Sequence, residues 1–210
     1  MQSEEFILGN REDISVFYDP SPYEPLGFTY PYWSKKWYEW VQSIRREENP
    51  ATDNSGKNCC QRQSNPVWFL AGTPGGTAKR NCSIPAGENL FFPIINEMST
   101  TTQCNKSGQN LINYCSSIID QVTNKEVMFD HEKLVGSQLD LYRIRTDLFD
   151  FTLPQDNLCG VAAGPTEVVC DGYWIMIKNE ALSAGNHILH FLGEQADGFR
   201  TEVTYNLMIE

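Results

Sequence analysis

Five polar residues of kinds found in catalytic and binding sites flank the most apolar segments of the chain: Asp53, Gln63, Arg80, Asn96 and Glu97. Asp53 or Glu97 could serve as a general acid or base, and the Arg80 guanidinium could stabilise an anion. Val67–Ala71 and Leu90–Ile95 have the composition of buried strands, so these polar side chains can converge at one end of a sheet. The alternative, which we favour, is that they pair with main-chain groups of a long, partly buried loop.

The candidate binding residues are Gln63, Asn96 and two histidines, His187 and His190. If Asn186–Leu192 is a strand, residues three apart point to opposite faces and cannot chelate one ion without a bulge. His131 lies beside Asp130 in a predicted turn. No serine nucleophile elbow, no His-Glu-x-x-His motif and no cysteine with an evident histidine partner occurs. The sequence therefore predicts no metal site and no cofactor, while a hydrolase assembled from distant segments stays open.

Two loops match ligand-binding motifs only in part. GTPGGTAK follows a predicted strand, but the fifth residue after Gly72 is Thr77, and no helix follows that could hold phosphate. A tight turn between strands is favoured there. Asp53–Gly56 begins like a calcium loop, but its glycine is at the fourth position and Ser64 replaces the bidentate glutamate. Calcium is therefore a minor alternative.

The chain is acidic, with 16 basic and 27 acidic residues and a formal net charge of −11. This charge repels phosphate backbones and anionic headgroups, so we expect neither nucleic acid nor a membrane as partner. No segment is long and apolar enough to span a bilayer, and Met1–Glu5 carries acids where a signal peptide would be basic. We expect an extracellular or cell-surface protein in its mature form, behind an added initiator methionine.

Seven cysteines are many for a reducing compartment, and none forms a Cys-x-x-Cys motif. One unpaired residue and three bridges allow about 105 arrangements, so spacing has to guide the choice. Local spacing favours two bridges, Cys104–Cys115 and Cys159–Cys170, and the long loop favours a third, Cys59–Cys82. Cys60 is then the odd thiol. The alternative is a cytosolic protein with reduced, buried cysteines.

Two helices are predicted. Trp33, Trp37 and Trp40 recur at helical spacing between Tyr30 and about Arg46, with Thr29 as the N-terminal cap and Arg45 and Arg46 at the end. These tryptophans could form a sugar-stacking platform, but a buried face is favoured. A second apolar stripe predicts a helix over about Gly108–Thr123.

Elsewhere alternating or continuous apolar runs predict strands, at Val67–Ala71, Leu90–Ile95, Glu126–Phe129, Leu141–Thr146, Phe149–Leu153, Tyr173–Ile177, His187–Leu192 and Val203–Ile209. We therefore predict a mainly β fold, an antiparallel β-sandwich or jelly-roll-like single domain over 29–210 with two packed α-helices. Met1–Phe28, rich in proline, is predicted to be a wrapped or mobile N-terminal extension with one strand at Ile14–Phe17.

Several segments together resemble an uncharacterised family of exported bacterial and archaeal proteins: YWSKKWYEWVQSI, NPATDNSGKNC with Gln63, PVWFLAGTPGG, RNCSIPAGENLFFPIINE and the ending DGYWIMIK, LSAGNHILHFLG and VTYNLMI. They cover about Tyr30 to Ile209 in order. The resemblance implies export, a β-rich single domain and pairing of Cys59 with Cys82, but no activity. The other five cysteines and the surroundings of Pro74 and Lys79 depart from the family pattern.

Two functions follow as expectations. The first is an exported binding or surface-interaction protein, whose unknown ligand could be a carbohydrate or a cell-surface component held by loop residues. The second is a small secreted hydrolase or lyase that uses Glu97 or Asp53 with Arg80. The first is favoured because no nucleophile or metal-binding set is visible. A concave pocket holding Glu97, Arg80 and a histidine would favour the enzyme.

Overall fold

The computed structural model describes residues 15–20 and 24–210, and it is a two-sheet sandwich with helices packed against it. Ten strands form it, β1 to β10 in chain order: Val67–Phe69, Gly76–Ile84, Asn89–Thr100, Val122–Phe129, Glu132–Val135, Arg143–Arg145, Phe149–Leu153, Gly164–Ile177, Gly185–Gln195 and Arg200–Ile209. The helices α1 to α3 are Tyr30–Ser43, Thr101–Cys104 and Gly108–Ile119. The predicted mainly β sandwich is confirmed.

Each sheet has five strands. In the first the order is β1-β3-β8-β6, with β7 also paired to β8, and in the second it is β2-β10-β9-β4-β5. Most pairs are antiparallel, as predicted, but β1 pairs with β3 and β10 pairs with β2 in parallel. The sheets are therefore mixed. Parallel pairing arises because each pair is joined through long crossover connections rather than hairpins.

The two sheets pack face to face through aromatic and aliphatic side chains. Phe92 of β3 stacks on Phe191 of β9 with ring centroids 4.9 Å apart. Gly193 of β9 allows a close approach of the two sheets, since a Cβ there would lie 2.5 Å from the Cβ of Ile95 on β3. A side chain at position 193 would therefore force the sheets apart.

Helix α1 packs against the outer face of the first sheet. The Thr29 hydroxyl accepts a hydrogen bond from Tyr32 N, as the cap prediction requires. Trp33, Trp37 and Trp40 are all buried, which confirms the core interpretation of this face. The helix ends at Ser43 rather than about Arg46, because Ile44 is extended and lies in the core. Arg45 and Arg46 therefore follow the helix instead of capping it.

Other boundaries differ from the sequence prediction. The second predicted helix, α3, ends at Ile119, and Val122 begins β4 instead. In the segment Leu141–Thr146 only Arg143–Arg145 is a strand, because a 3-10 helix extends to Tyr142. Strand β2 was not predicted, since its buried positions are small or polar residues such as Ala78 and Arg80.

The described part of the N-terminal extension packs on the domain. Phe17 is buried and forms an isolated bridge with Ile177, and Tyr18 N donates to Met176 O at 3.0 Å. This agrees with a wrapped segment over residues 15–18. Ile14, the start of the predicted strand, lies outside the described residues, as do residues 1–13 and 21–23.

One disulfide, Cys59–Cys82, is present among the described residues, as predicted, and Cys60 is an exposed thiol. Cys104, Cys115, Cys159 and Cys170 are free thiols. The predicted bridges Cys104–Cys115 and Cys159–Cys170 are therefore not formed, which corrects the pairing inferred from spacing. The physical reason is that each cysteine lies on a separate element with its own contacts. Cys115 donates from α3 to Val169 O, and Cys159 accepts from Gln42.

Among the residues that the structure describes, none of the helices combines the length and the apolar character needed to cross a bilayer.

Candidate functional site

A cleft of about 360 Å³, which we call the edge cleft, opens beside β3 where that strand continues beyond the end of β1. Its lining is mostly apolar and includes Trp37, Met98, Leu158 and Phe199, together with the polar residues Asn96 and Glu97. This volume suits a small ligand or a short segment of a larger one. The edge cleft thus contains two of the five polar residues that could have converged at one site.

Glu97 is the one acidic or basic side chain among the residues that line the edge cleft. Burial raises the pKa of this carboxyl above its ordinary value of 4.5, and a hydrogen bond from Ser99 Oγ at 3.0 Å opposes the shift only in part. In the described part of the chain no lysine, arginine or histidine forms an ion pair with it. The carboxylate is therefore a partly desolvated acceptor without a cationic partner.

Thiols surround this carboxylate. Cys159 lines the edge cleft itself, and burial, with smaller contributions from Glu97 and Cys104, raises its pKa. Burial also raises the pKa of Cys115 to about 12, and Glu97 adds to that shift. Both thiols are protonated at neutral pH. A thiol with a raised pKa is a poor nucleophile, so Cys159 is not activated for covalent chemistry.

Arg80 does not reach the edge cleft. It is 1% exposed and donates to the carbonyl oxygens of Ala51, Asp53, Ala71 and Gly72 and to the Tyr205 hydroxyl. Its guanidinium lies behind the cleft wall, because Ala51 and Gly72 both line the cleft. Arg80 therefore ties the loop before β1 to the second sheet and is not available as an anion stabiliser.

Asp53 and Gln63 also make local structural contacts. Burial alone would raise the pKa of Asp53, but hydrogen bonds from Asn58 N and from Ser55 hold it below its ordinary value. The Gln63 amide donates to the carbonyls of Cys59 and Phe69 and accepts from Phe69 N. These two residues close the loop that precedes β1, in line with the structural alternative.

The two candidate histidines do not line the edge cleft, and they contact different carboxylates. His187 Nδ1 contacts Asp130 Oδ2 at 2.7 Å, and its Nε2 contacts Ser183 O at 2.8 Å. His190 Nε2 contacts Glu202 Oε1 at 3.1 Å. Over residues 15–20 and 24–210 no three His, Cys, Asp or Glu side chains are arranged to hold a metal ion.

His187 should make stability depend on pH. Only the imidazolium can donate from both nitrogens, and although burial alone would lower its pKa, the hydrogen bonds to Asp130 and Ser183 hold it above 6.5. This stabilisation is complete below pH 6.5 and is lost as the pH rises through the folded-state pKa.

We therefore expect the free energy of unfolding of the wild-type protein, measured with urea, to fall between pH 5.5 and pH 9. In His187→Gln it should fall less steeply over the same range. His131→Asn, changed in the exposed neighbouring turn, should retain the wild-type slope; equal slopes in all three proteins would contradict the assignment.

A second concavity lies along α1. Phe28, 45% exposed, stacks on Tyr32 with ring centroids 4.2 Å apart, and both line a groove of about 440 Å³. The three tryptophans offer no platform, because each is buried and each indole N–H donates to a main-chain carbonyl, of Pro25, Leu70 and Gln61 in turn. The exposed aromatic surface at the start of α1 therefore comes from Tyr32 and from Phe28, which precedes the helix.

Sequence reasoning missed most of the edge cleft's lining. Met98, Leu158 and Phe199 come from β3, from the loop before β8 and from the turn before β10. Leu158 and Phe199 stand in predicted loops as isolated apolar residues, and such residues are common on protein surfaces. Only their positions in the folded structure, where both line one cleft, distinguish Leu158 and Phe199 from ordinary apolar surface residues.

Comparison with known proteins gives no match: no family model, no curated protein and no solved structure is similar to this chain.

Proposed function

We propose that the protein is an exported binding domain that holds its ligand in the edge cleft, with Glu97 as the charged recognition group. The observation that carries this proposal is a partly desolvated carboxylate that has no cationic partner among the described residues, in a concavity lined mostly by apolar side chains. A ligand that brings an ammonium or another strong donor would supply the missing partner and leave its apolar part against Trp37, Met98 and Phe199. The Cys59–Cys82 disulfide supports an oxidising location.

Catalysis is the less supported alternative. A hydrolase or lyase needs a second reacting group near Glu97. The two candidates, Arg80 and Cys159, do not supply one. Arg80 is bound to main-chain carbonyls behind the wall, and the thiol of Cys159 has a raised pKa. His187 and His190 are paired with carboxylates elsewhere. The raised pKa of Glu97 would suit a general acid, so activity screening remains the test of this alternative.

Glu97→Gln tests the binding proposal. Because the folded-state pKa of Glu97 is raised, ionising it destabilises the fold progressively as the pH rises above 4.5. We therefore expect Glu97→Gln to have a higher melting temperature than wild type at pH 7. Near pH 4 the two proteins should have the same melting temperature. Benzylamine should bind wild type more tightly than benzyl alcohol does, and the variant should lose that preference.

Heteronuclear NMR titration and thermal melting give both readings, and Glu48→Gln, at an exposed position after α1, is the matched control. A lower melting temperature for Glu97→Gln, together with no perturbation of cleft resonances by either compound, would leave Glu97 as a structural residue only. Hydrolysis of a model ester or amide that is lost in Glu97→Gln would instead support the enzyme.

A further inference from the structure

Strand β3 has one paired side and one unpaired side along the edge cleft. On one side β8 pairs with it from Leu90 to Thr100. On the other side β1 pairs only with Asn89–Phe91 and then ends. Asn96, Glu97 and Met98 are the three residues of β3 that are not buried, and all three line the edge cleft.

The hydrogen-bond pattern of β8 shows which main-chain groups of β3 point to this unpaired side. Cys170 N donates to Thr146 Oγ1, and Thr146 N donates to Cys170 O, so the main chain of Cys170 faces away from β3. Its register partner, Met98, is therefore in a non-hydrogen-bonded pair. The N–H and C=O of Met98 then point away from β8, towards the edge cleft.

The main-chain groups of Asn96 also point away from β8, because hydrogen-bonded and non-hydrogen-bonded pairs alternate along two antiparallel strands. Asn96 is opposite Gly172, and a Cβ built on Gly172 would lie 2.6 Å from the Asn96 Cβ. Opposite residues lie closer together in a non-hydrogen-bonded pair than in a hydrogen-bonded one, so a glycine at position 172 is consistent with this pairing. In the described residues, no hydrogen bond outside the β3–β8 ladder reaches the main-chain N–H or C=O of Asn96 or Met98. Two donors and two acceptors beside the cleft thus have no partner within residues 15–20 and 24–210.

We propose that the edge cleft binds an extended peptide segment of about three residues by strand addition to β3, with a lysine or arginine side chain next to Glu97. This inference rests on the proposed function and names its ligand class. An extended strand presents N–H and C=O groups at the spacing that Asn96 and Met98 require, and alternate side chains leave it towards the two cleft walls. Trp37, Met98 and Leu158 accept the apolar side chains, while Glu97 selects the cation. A small amine would satisfy Glu97 but leave the strand edge unpaired.

Amide hydrogen exchange provides the first test. In the free protein we expect the amides of Asn96 and Met98 to exchange much faster than that of Glu97, whose N–H faces β8. Adding acetyl-Val-Lys-Val-amide should slow the exchange of Asn96 and Met98. Equal protection of all three amides in the free protein would show that the edge is already paired, and would overturn the proposal.

Binding comparisons provide the second test. At least one of three peptides methylated at a single main-chain nitrogen should bind about tenfold more weakly than the parent, and a glutamine in place of the lysine should also weaken binding. Met98→Pro removes one outward donor and should therefore weaken peptide binding much more than it weakens benzylamine binding. Met98→Leu keeps that donor and should change the two affinities by a similar factor. If all methylated peptides bind as the parent does, while benzylamine still binds through Glu97, strand addition is overturned and the proposed function survives. Failure of both probes overturns both.

Discussion

Arg80→Met should destabilise the protein far more than the substitution of an exposed polar side chain does. Arg80 is 1% exposed, and its three side-chain nitrogens donate to four main-chain carbonyls and the Tyr205 hydroxyl. Methionine keeps an unbranched apolar stem but removes every donor. Leaving several buried acceptors unpaired costs about 1–3 kcal/mol each, so we expect a loss of at least about 3 kcal/mol in the free energy of unfolding.

Urea denaturation monitored by tryptophan fluorescence measures this loss. Lys79→Met is the matched control, because Lys79 is the exposed neighbour on the same strand and its change should stay within about 0.5 kcal/mol. Arg80→Lys should recover little, since an ammonium cannot span carbonyls that a planar guanidinium reaches together. Similar denaturation midpoints for Arg80→Met and Lys79→Met would show that the Arg80 contacts are dispensable.

Trp37→Ala is the second large effect, with an expected loss of about 3–5 kcal/mol. Trp37 is 2% exposed, and its ring lies 5.4 Å from that of Trp174 on β8. Its indole N–H also donates to Leu70 O at 2.8 Å, which fixes the chain just after β1. Because Trp37 lines the edge cleft, the substitution should weaken ligand binding as well.

Trp37→Phe separates packing from the hydrogen bond, since it retains an aromatic ring and loses the donor. We expect the stability of Trp37→Phe, measured by thermal and urea denaturation, to lie between that of wild type and that of Trp37→Ala. A soluble Trp37→Ala protein with the wild-type melting temperature would refute the core assignment of this residue. Such a protein would restore the sugar-platform interpretation if it had also lost binding to oligosaccharides.

Local sequence was sufficient for the main elements of the fold. The apolar residues that alternate in Val203–Ile209 form the buried face of a strand, and the helically spaced Trp33, Trp37 and Trp40 form the buried face of a helix. In both segments, burial of this face favours the same secondary structure as the local sequence pattern. The Cys59–Cys82 bridge was also correctly predicted. In these segments short-range pattern and long-range packing agree.

Only the tertiary structure decided how these elements meet. The sequence left open that Arg80 and Glu97 meet at one site, but Arg80 donates to main-chain carbonyls while Glu97 lines the edge cleft. A buried guanidinium must satisfy its donors with the nearest acceptors. Spacing likewise suggested two local disulfides that the fold does not form. The unpaired side of β3 depends on where β1 ends and on how β8 pairs with its other neighbours. Such pairings are long-range, and the residues of β3 alone carry no signal of them.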